Sequence, residues 1–304
     1  MASHADLRPA LRRRALLRGG AILGGSSLLA PLSLASGAPD ASVSTRVELE
    51  PGRRALSTGR ELLWSDRTGR LSRELRGGNL VPLPTAVDVH AKVKAGASAD
   101  SSTLTGTLNH ASPYIAAAAL AGGELALLDR ERARLQFLTV DGTPRGSLSL
   151  QDIAPRPSAM LAGSDGLSLW LADSAHHQLT LIDLDGRILR RWGGQPWQRH
   201  ASNGPVALAR DSRGHLHSLE SGHGCVLVWN ERGECLGRYA EGLSPGVRHL
   251  APAARDTLYT LDTWQNRLQA LLPGKRHVTA LHLGQDFRPA QLAHVAGRGY
   301  LLTA

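Results

Sequence analysis

The chain has 304 residues and carries 35 Lys and Arg against 26 Asp and Glu, a formal charge of +9. Five Arg and one Asp fall in the first 35 residues, so the remainder holds 30 basic and 25 acidic groups, a net +5 without basic runs or interleaved aromatics. That pattern excludes a nucleic-acid surface, and two cysteines in 304 residues exclude a disulfide-built scaffold.

The chain opens on a targeting pattern. Arg12-Arg13-Arg14-Ala15-Leu16-Leu17-Arg18 fits the twin-arginine arrangement of two arginines, an apolar pair and a further basic residue. A soft apolar stretch from Gly19 to Leu34 follows, and Ser33-Leu34-Ala35 offers small residues where a signal peptidase reads. A permanent membrane helix needs about 20 strongly apolar residues, more than this stretch supplies. The order of features predicts a signal peptide over 1–35, handled by the twin-arginine translocase, and no permanent membrane anchor. The mature protein is then expected to start near Ser36 in a bacterial periplasm. Residues 36–46 read as a polar linker and 47–304 as one domain.

Within that domain, Leu62-Leu63-Trp64-Ser65-Asp66-Arg67-Thr68-Gly69-Arg70-Leu71 reads as half of a repeating unit. Segment 77–112 is weakly patterned. Residues 86–93 and 103–108 read as strands of a shortened blade, and 95–102 as the loop between them.

From Pro113 to Gly284 one pattern is written four times. The copies begin GGELALLDRERARLQFLTVDG at Gly122, DGLSLWLADSAHHQLTLIDLDG at Asp165, RGHLHSLESGHGCVLVWNERG at Arg213 and RDTLYTLDTWQNRLQALLPG at Arg255. Each is a β-rich run ending in an acid, Asp129, Asp173, Glu220 or Asp262. An apolar residue stands six positions after each acid: Leu135, Leu179, Val226 and Leu268. The acids recur at the period of a four-stranded propeller blade. At the C-terminus, 289–293 and 299–303 read as two further strands.

The pattern resembles the NHL-repeat propellers, with a Pro-led inner strand, an acid–Ser–x–Asn–x–Arg–apolar loop and an Asp-Gly hairpin. Asp173 to Leu179 and Asp262 to Leu268 match most closely, and Pro113, Pro157, Pro205, Pro245 and Pro289 lead the inner strands. The resemblance implies an all-β propeller, read here as six four-stranded blades, the alternative being five blades plus an insertion. A closing blade would take two strands from each chain end, with the 62–71 unit supplying the N-terminal pair. Cys225 and Cys235 fall too far apart on one hairpin to bond and are expected to be free.

Loops 130–134, 174–178, 221–225 and 263–267 are expected on one face around the central channel, the usual place for binding in such folds. His176, His177, His200 and His223 would lie there as candidate ligands for zinc or copper, balanced against local hydrogen bonding. Trp197 and Trp264 with Arg130, Arg132, Arg134 and Arg267 would form an aromatic–cationic surface for a ligand or a partner protein. The resemblance implies that the repeat acids Asp129, Asp173, Glu220 and Asp262 cap their own loops. Gluconolactonase-like and peptidyl-amidating-lyase propellers offer a catalytic comparison. Asn203-Gly204-Pro205 echoes the first, and His249 and His294 stand on inner strands as in the second, without a close match to either. The expected function is an exported binding or assembly module acting on a periplasmic protein or small molecule. The alternative is a metal-dependent hydrolase or lyase using the His-bearing face.

Overall fold

A computed structural model describes residues 53–75, 79–84, 113–194, 201–252, 256–272, 279–283, 290–295 and 299–303, with the backbone of three short N-terminal strands. Those strands are β1 (Leu32–Ser33), β2 (Ser42–Val43) and β3 (Thr45–Val47). The twin-arginine segment and the stretches 86–93, 95–102 and 103–108 lie outside the described residues.

Five four-stranded antiparallel blades follow in chain order. Blade one is β4 (Arg54–Ser57), β5 (Leu62–Ser65), β6 (Leu71–Glu74) and β7 (Leu80–Pro82). Blade two is β8 (Tyr114–Ala119), β9 (Leu125–Asp129), β10 (Arg134–Leu138) and β11 (Pro144–Ser149). Blade three is β12 (Pro157–Ala162), β13 (Ser168–Asp173), β14 (Gln178–Asp183) and β15 (Ile188–Gly193). Blade four is β16 (Pro205–Arg210), β17 (Leu216–Glu220), β18 (Cys225–Trp229) and β19 (Cys235–Tyr239). Blade five is β20 (Val247–Pro252), β21 (Leu258–Asp262), β22 (Arg267–Leu271) and β23 (Thr279–His282). A three-stranded sheet completes the circuit: β24 (Gln291–Val295), β25 (Gly299–Thr303) and β3, which joins β25 in parallel. Inner strands β4, β8, β12, β16, β20 and β24 each touch the next, so the molecule is a closed propeller.

The sequence explains this layering. The second strand of each blade is sandwiched between neighbouring blades and is mainly apolar, with Ser168, His217, Ser218 and Thr260 buried among the aliphatic side chains. Every residue of β9, β13, β17 and β21 is buried. The outermost strands β11 and β15 are largely exposed and carry Arg145, Arg190 and Arg191, and charge on an edge strand is a usual protection for a sheet edge. Between blades the side chains interlock. Trp192 of blade three meets Trp170 edge-on at 4.6 Å and lies 6.3 Å from Trp229 of blade four. Burying an aliphatic or aromatic side chain of this kind contributes about 1.5–3 kcal/mol.

Two expectations need correction. Six four-stranded blades were expected; the described residues form five, the alternative count, with a three-stranded sheet closing the ring. Nor does the 62–71 unit pair with the C-terminus, because its expected alignment is shifted. Ser65 pairs with the first residue of its inner strand, as Asp129 pairs with Tyr114. Gly69, four residues later, is left-handed at φ 82°, and Leu71 starts the third strand. Blade one is thus a further copy of the repeat with serine in place of the acid, and the C-terminal strands recruit β3 instead.

Both cysteines are free. A bulge between Val228 and Trp229 sets Cys235 opposite Trp229 and Val226 opposite Tyr239. Burial pushes the Cys225 thiol up to about 11, which makes it unreactive.

Candidate functional site at the channel mouth

The loop after each second strand is built the same way. Its fourth residue after the acid position is left-handed: Ala133 (φ 44°), His177 (φ 55°), Gly224 (φ 60°) and Asn266 (φ 51°). The acids bind local donors. Asp129 Oδ1 accepts the Arg132 amide at 3.0 Å. Asp173 Oδ1 accepts the amides of Ala175 and His176, while its Oδ2 takes that of Arg156. Asp262 Oδ1 accepts the Trp264 and Gln265 amides, and its Oδ2 the Ser244 hydroxyl. Glu220 reaches further inward to Ser202 Oγ, the Asn203 amide and Ser218 Oγ.

A second repeated device lies on the inner strands at the same face. In β8, β12, β16 and β20 the register against the second strand slips by one immediately after the first residue. A β-bulge leaves one residue unpaired and re-aims its side chain. The four residues released are Ile115, Ser158, Val206 and Arg248, and all four line the central cavity of ≈ 730 Å³. Strands β4 and β24 keep an unbroken register and present Arg54 and Gln291 at the equivalent level. Six blade positions therefore form a ring of Arg54, Ile115, Ser158, Val206, Arg248 and Gln291.

Several of these side chains also fasten adjacent sheets. Arg54 donates to the Tyr114 carbonyl of blade two at 3.4 Å, and Ser158 Oγ donates to the Pro205 carbonyl of blade four at 2.6 Å. Gln291 Oε1 accepts the Ala55 amide at 2.9 Å.

The charge around the ring is one-sided. Arg248, Gln291 and Arg54 are consecutive, and Arg130 from the blade-two loop also lines the cavity. Ile115, Ser158 and Val206 make up the opposite arc. Arg130 and Arg248 are exposed, and neither has an ion-pair partner among the described residues. Burial lowers the Arg54 pKa, with Arg130 nearby adding to the effect. His249 donates from Nε2 to the Ala290 carbonyl at 3.0 Å and stays neutral. Burial is the main cause of its pKa falling to about 4; the carbonyl opposes this, and Arg54 and Arg248 add to it.

The far end of the channel differs. The one lining carboxylate among the described residues, Asp165, accepts from the Leu167 amide and Ser168 Oγ, both at 2.9 Å, and lies in the field of Arg210. Arg210 itself donates to the Ala162 carbonyl.

Solved structures share this architecture. A streptogramin B lyase aligns with a TM-score of 0.58 at 10% identity, covering 83% of this chain and 76% of its own. The virginiamycin B lyase of Staphylococcus aureus aligns at 0.58 and 14% identity, covering 92% of this chain and 82% of its own. A chain of a nidogen/laminin complex aligns at 0.55 and 15% identity, over 86% and 88%. At such identities the likeness shows the fold alone. No family model and no curated protein matches the sequence.

Among the described residues, the expected site residues do not gather into one place. Arg130 reaches the cavity. Arg132 pairs with Asp129 at 2.8 Å, Arg267 lies 3.7 Å from Asp262, and Arg134 is half-buried on β10. Trp264 is 69% exposed, above Gly246, and does not line the cavity. His176 Nδ1 lies 3.0 Å from Asp173, His177 Nδ1 accepts the Gly204 amide at 2.9 Å, and His223 Nε2 donates to the Ala201 carbonyl at 3.1 Å. Among the described residues no three His, Cys, Asp or Glu are grouped to hold a metal ion. Trp197 and His200 lie outside the described residues.

Sequence reading missed the ring of mouth residues. Ile115, Val206 and Arg248 stand 14 residues before their repeat acids and Ser158 stands 15 before its own, so counting back from the acid would have located them. The leading prolines do not, because their distance to the bulge varies.

Proposed function

We propose that this chain is a binding module that takes a small-molecule ligand at the bulge-lined mouth of its central channel. The supporting observation is that four blades repeat the same backbone bulge but present four different side chains, Ile115, Ser158, Val206 and Arg248, to one cavity. A constant scaffold with varied chemistry at equivalent positions is how loop and rim residues specialise a fold for one ligand. The twin-arginine pattern at Arg13 and Arg14 supports a further part of the reading, that the module works after export to the periplasm.

A small-molecule library screened by ligand-observed NMR tests the site. Hits should be lost when Val206→Trp or Ser158→Trp narrows the mouth, with the fold retained by circular dichroism. Hits that are indifferent to both variants would refute the channel as the site. For export, an Arg13→Lys/Arg14→Lys variant should keep the protein in the cytoplasm; unchanged fractionation would refute that route.

A further inference from the structure

We infer that the ligand of this mouth is an organic anion with an apolar body, its anionic group held by Arg248, Arg54 and Arg130 and its body laid against Ile115 and Val206. The inference rests on the channel reading above and adds the ligand's chemistry to it.

Charge is the first argument. Among the described residues five arginines line the channel against one carboxylate, Asp165, and that carboxylate sits at the far end beside Arg210. The near mouth therefore holds Arg54, Arg130 and Arg248 with no lining acid among the described residues. The repeat acids on the same face are engaged: Asp129 with Arg132, Asp173 with His176 and three amides, and Asp262 with Ser244 and two amides. A low-dielectric wall beside uncompensated cations concentrates an anion at the mouth, and guanidinium groups match carboxylate geometry in two-point contacts.

Arrangement is the second argument. Arg248 and Arg54 flank Gln291 on one arc, while Ile115 and Val206 face them from blades two and four, with apolar Leu208 and Leu250 deeper in the lining. A small inorganic anion would leave the apolar arc uncovered, and a neutral apolar molecule would leave the cations unused. One molecule with both parts satisfies both arcs. Neutral His249, its Nε2 proton committed to Ala290, adds no charge to the anion site and leaves Nδ1 as an acceptor.

The test uses the full chain with 2-naphthoate and its neutral counterpart 2-naphthalenemethanol as probes, titrated calorimetrically at low and moderate salt. 2-Naphthoate is expected to bind, to weaken with salt, and to lose about tenfold or more in Arg248→Glu, a loss in the range of one charge-assisted hydrogen bond. Arg248 is exposed and has no partner among the described residues, so this variant should fold; an unchanged melting temperature checks that. Arg248→Lys should recover part of the affinity.

Equal binding of the two probes, both unaffected by Arg248→Glu but abolished by Val206→Trp, would overturn the anion and leave the channel reading standing. Binding of 2-naphthoate that survives Val206→Trp would overturn both. Failure of 2-naphthoate to bind, whatever the neutral probe does, would overturn the inference, and the library screen would judge the channel independently.

Discussion

The loops of blades three and four occupy the same place in the repeat and solve the same problem with opposite electrostatics. Asp173 is 2% exposed, yet its pKa is lowered: burial pushes it up, and the amides of Arg156 and His176 together with the His176 ring outweigh that. Glu220 is wholly buried, has no ion-pair partner among the described residues, and its pKa is raised. Burial prevails there over hydrogen bonds from Ser218, Asn203 and Ser202. One additional methylene carries the carboxyl inward to a set of hydroxyls, with Trp229 Nε1 donating to Ser218 Oγ behind it at 2.8 Å. The comparison teaches that the repeat needs an acceptor at this position rather than a charge. Ser65, in the same place in blade one and fully buried, is also uncharged, and there the neighbouring Asp66 Oδ1 accepts the loop amides of Thr68 and Arg70.

The largest effect should come from Glu220→Ala. It strands Ser202 Oγ, Ser218 Oγ and the Asn203 amide in a buried site, at a cost of about 3 kcal/mol and a fall of roughly 6–12 °C in melting temperature. Glu220→Gln keeps shape and an acceptor without charge, and should stay within about 1 kcal/mol of the parent. Calorimetric melting of the two variants decides the matter. If Gln costs as much as Ala, the carboxylate charge is needed and the comparison fails.

Asp173→Ala should rank second, at about 2 kcal/mol, because three backbone donors lose their acceptor but part of that loop can reach water. The pH dependence sharpens the contrast further. Asp173 has a folded pKa below its ordinary 3.8, so its contribution is present above that value and is lost as pH falls through the folded pKa. Glu220 has a folded pKa above its ordinary 4.5, so the folded state holds the proton more tightly, and stability declines as pH rises from 4.5 through the folded pKa. Relative to the parent, Glu220→Gln should therefore gain stability as pH rises above 4.5. Asp173→Asn should approach the parent as pH falls below 3.8. Denaturant melts across pH 3–7 read both, and slopes of the same sign would contradict the assignment.

Most of the architecture was legible because blade burial writes itself into the chain. A second strand buried on both faces is mainly apolar, and it ends where the loop needs an acceptor, so Asp129, Asp173, Glu220 and Asp262 mark four blades directly. The copy at Ser65 was aligned wrongly because serine stands where the other blades carry the acid, and its loop amides go to Asp66, one residue later. The left-handed position was mostly legible, since Gly224, Asn266 and His177 suit it by type whereas Ala133 does not. The parallel joining of β3 to β25 depends on which edge is vacant once the ring has closed, and no local pattern encodes that. The mouth residues escaped for a related reason. A bulge is a property of a strand pair, and Ile115, Ser158, Val206 and Arg248 share no chemistry by which a repeat could be recognised.

The smallest effect closes the comparison. Arg132 gives Asp129 an ion pair that Glu220 lacks, but its side chain is 63% exposed. Water already solvates such a guanidinium, and holding it in place costs side-chain entropy, so Arg132→Ala should cost no more than about 0.5 kcal/mol and less at high salt. The Arg132 amide keeps its bond to Asp129 Oδ1 in that variant. A loss as large as that of Asp173→Ala would mean that the exposed cation, and not the amide cap, fixes the loop. Blade four, whose acid has no such cation, would then have to be the exception and not the plainest case of the rule.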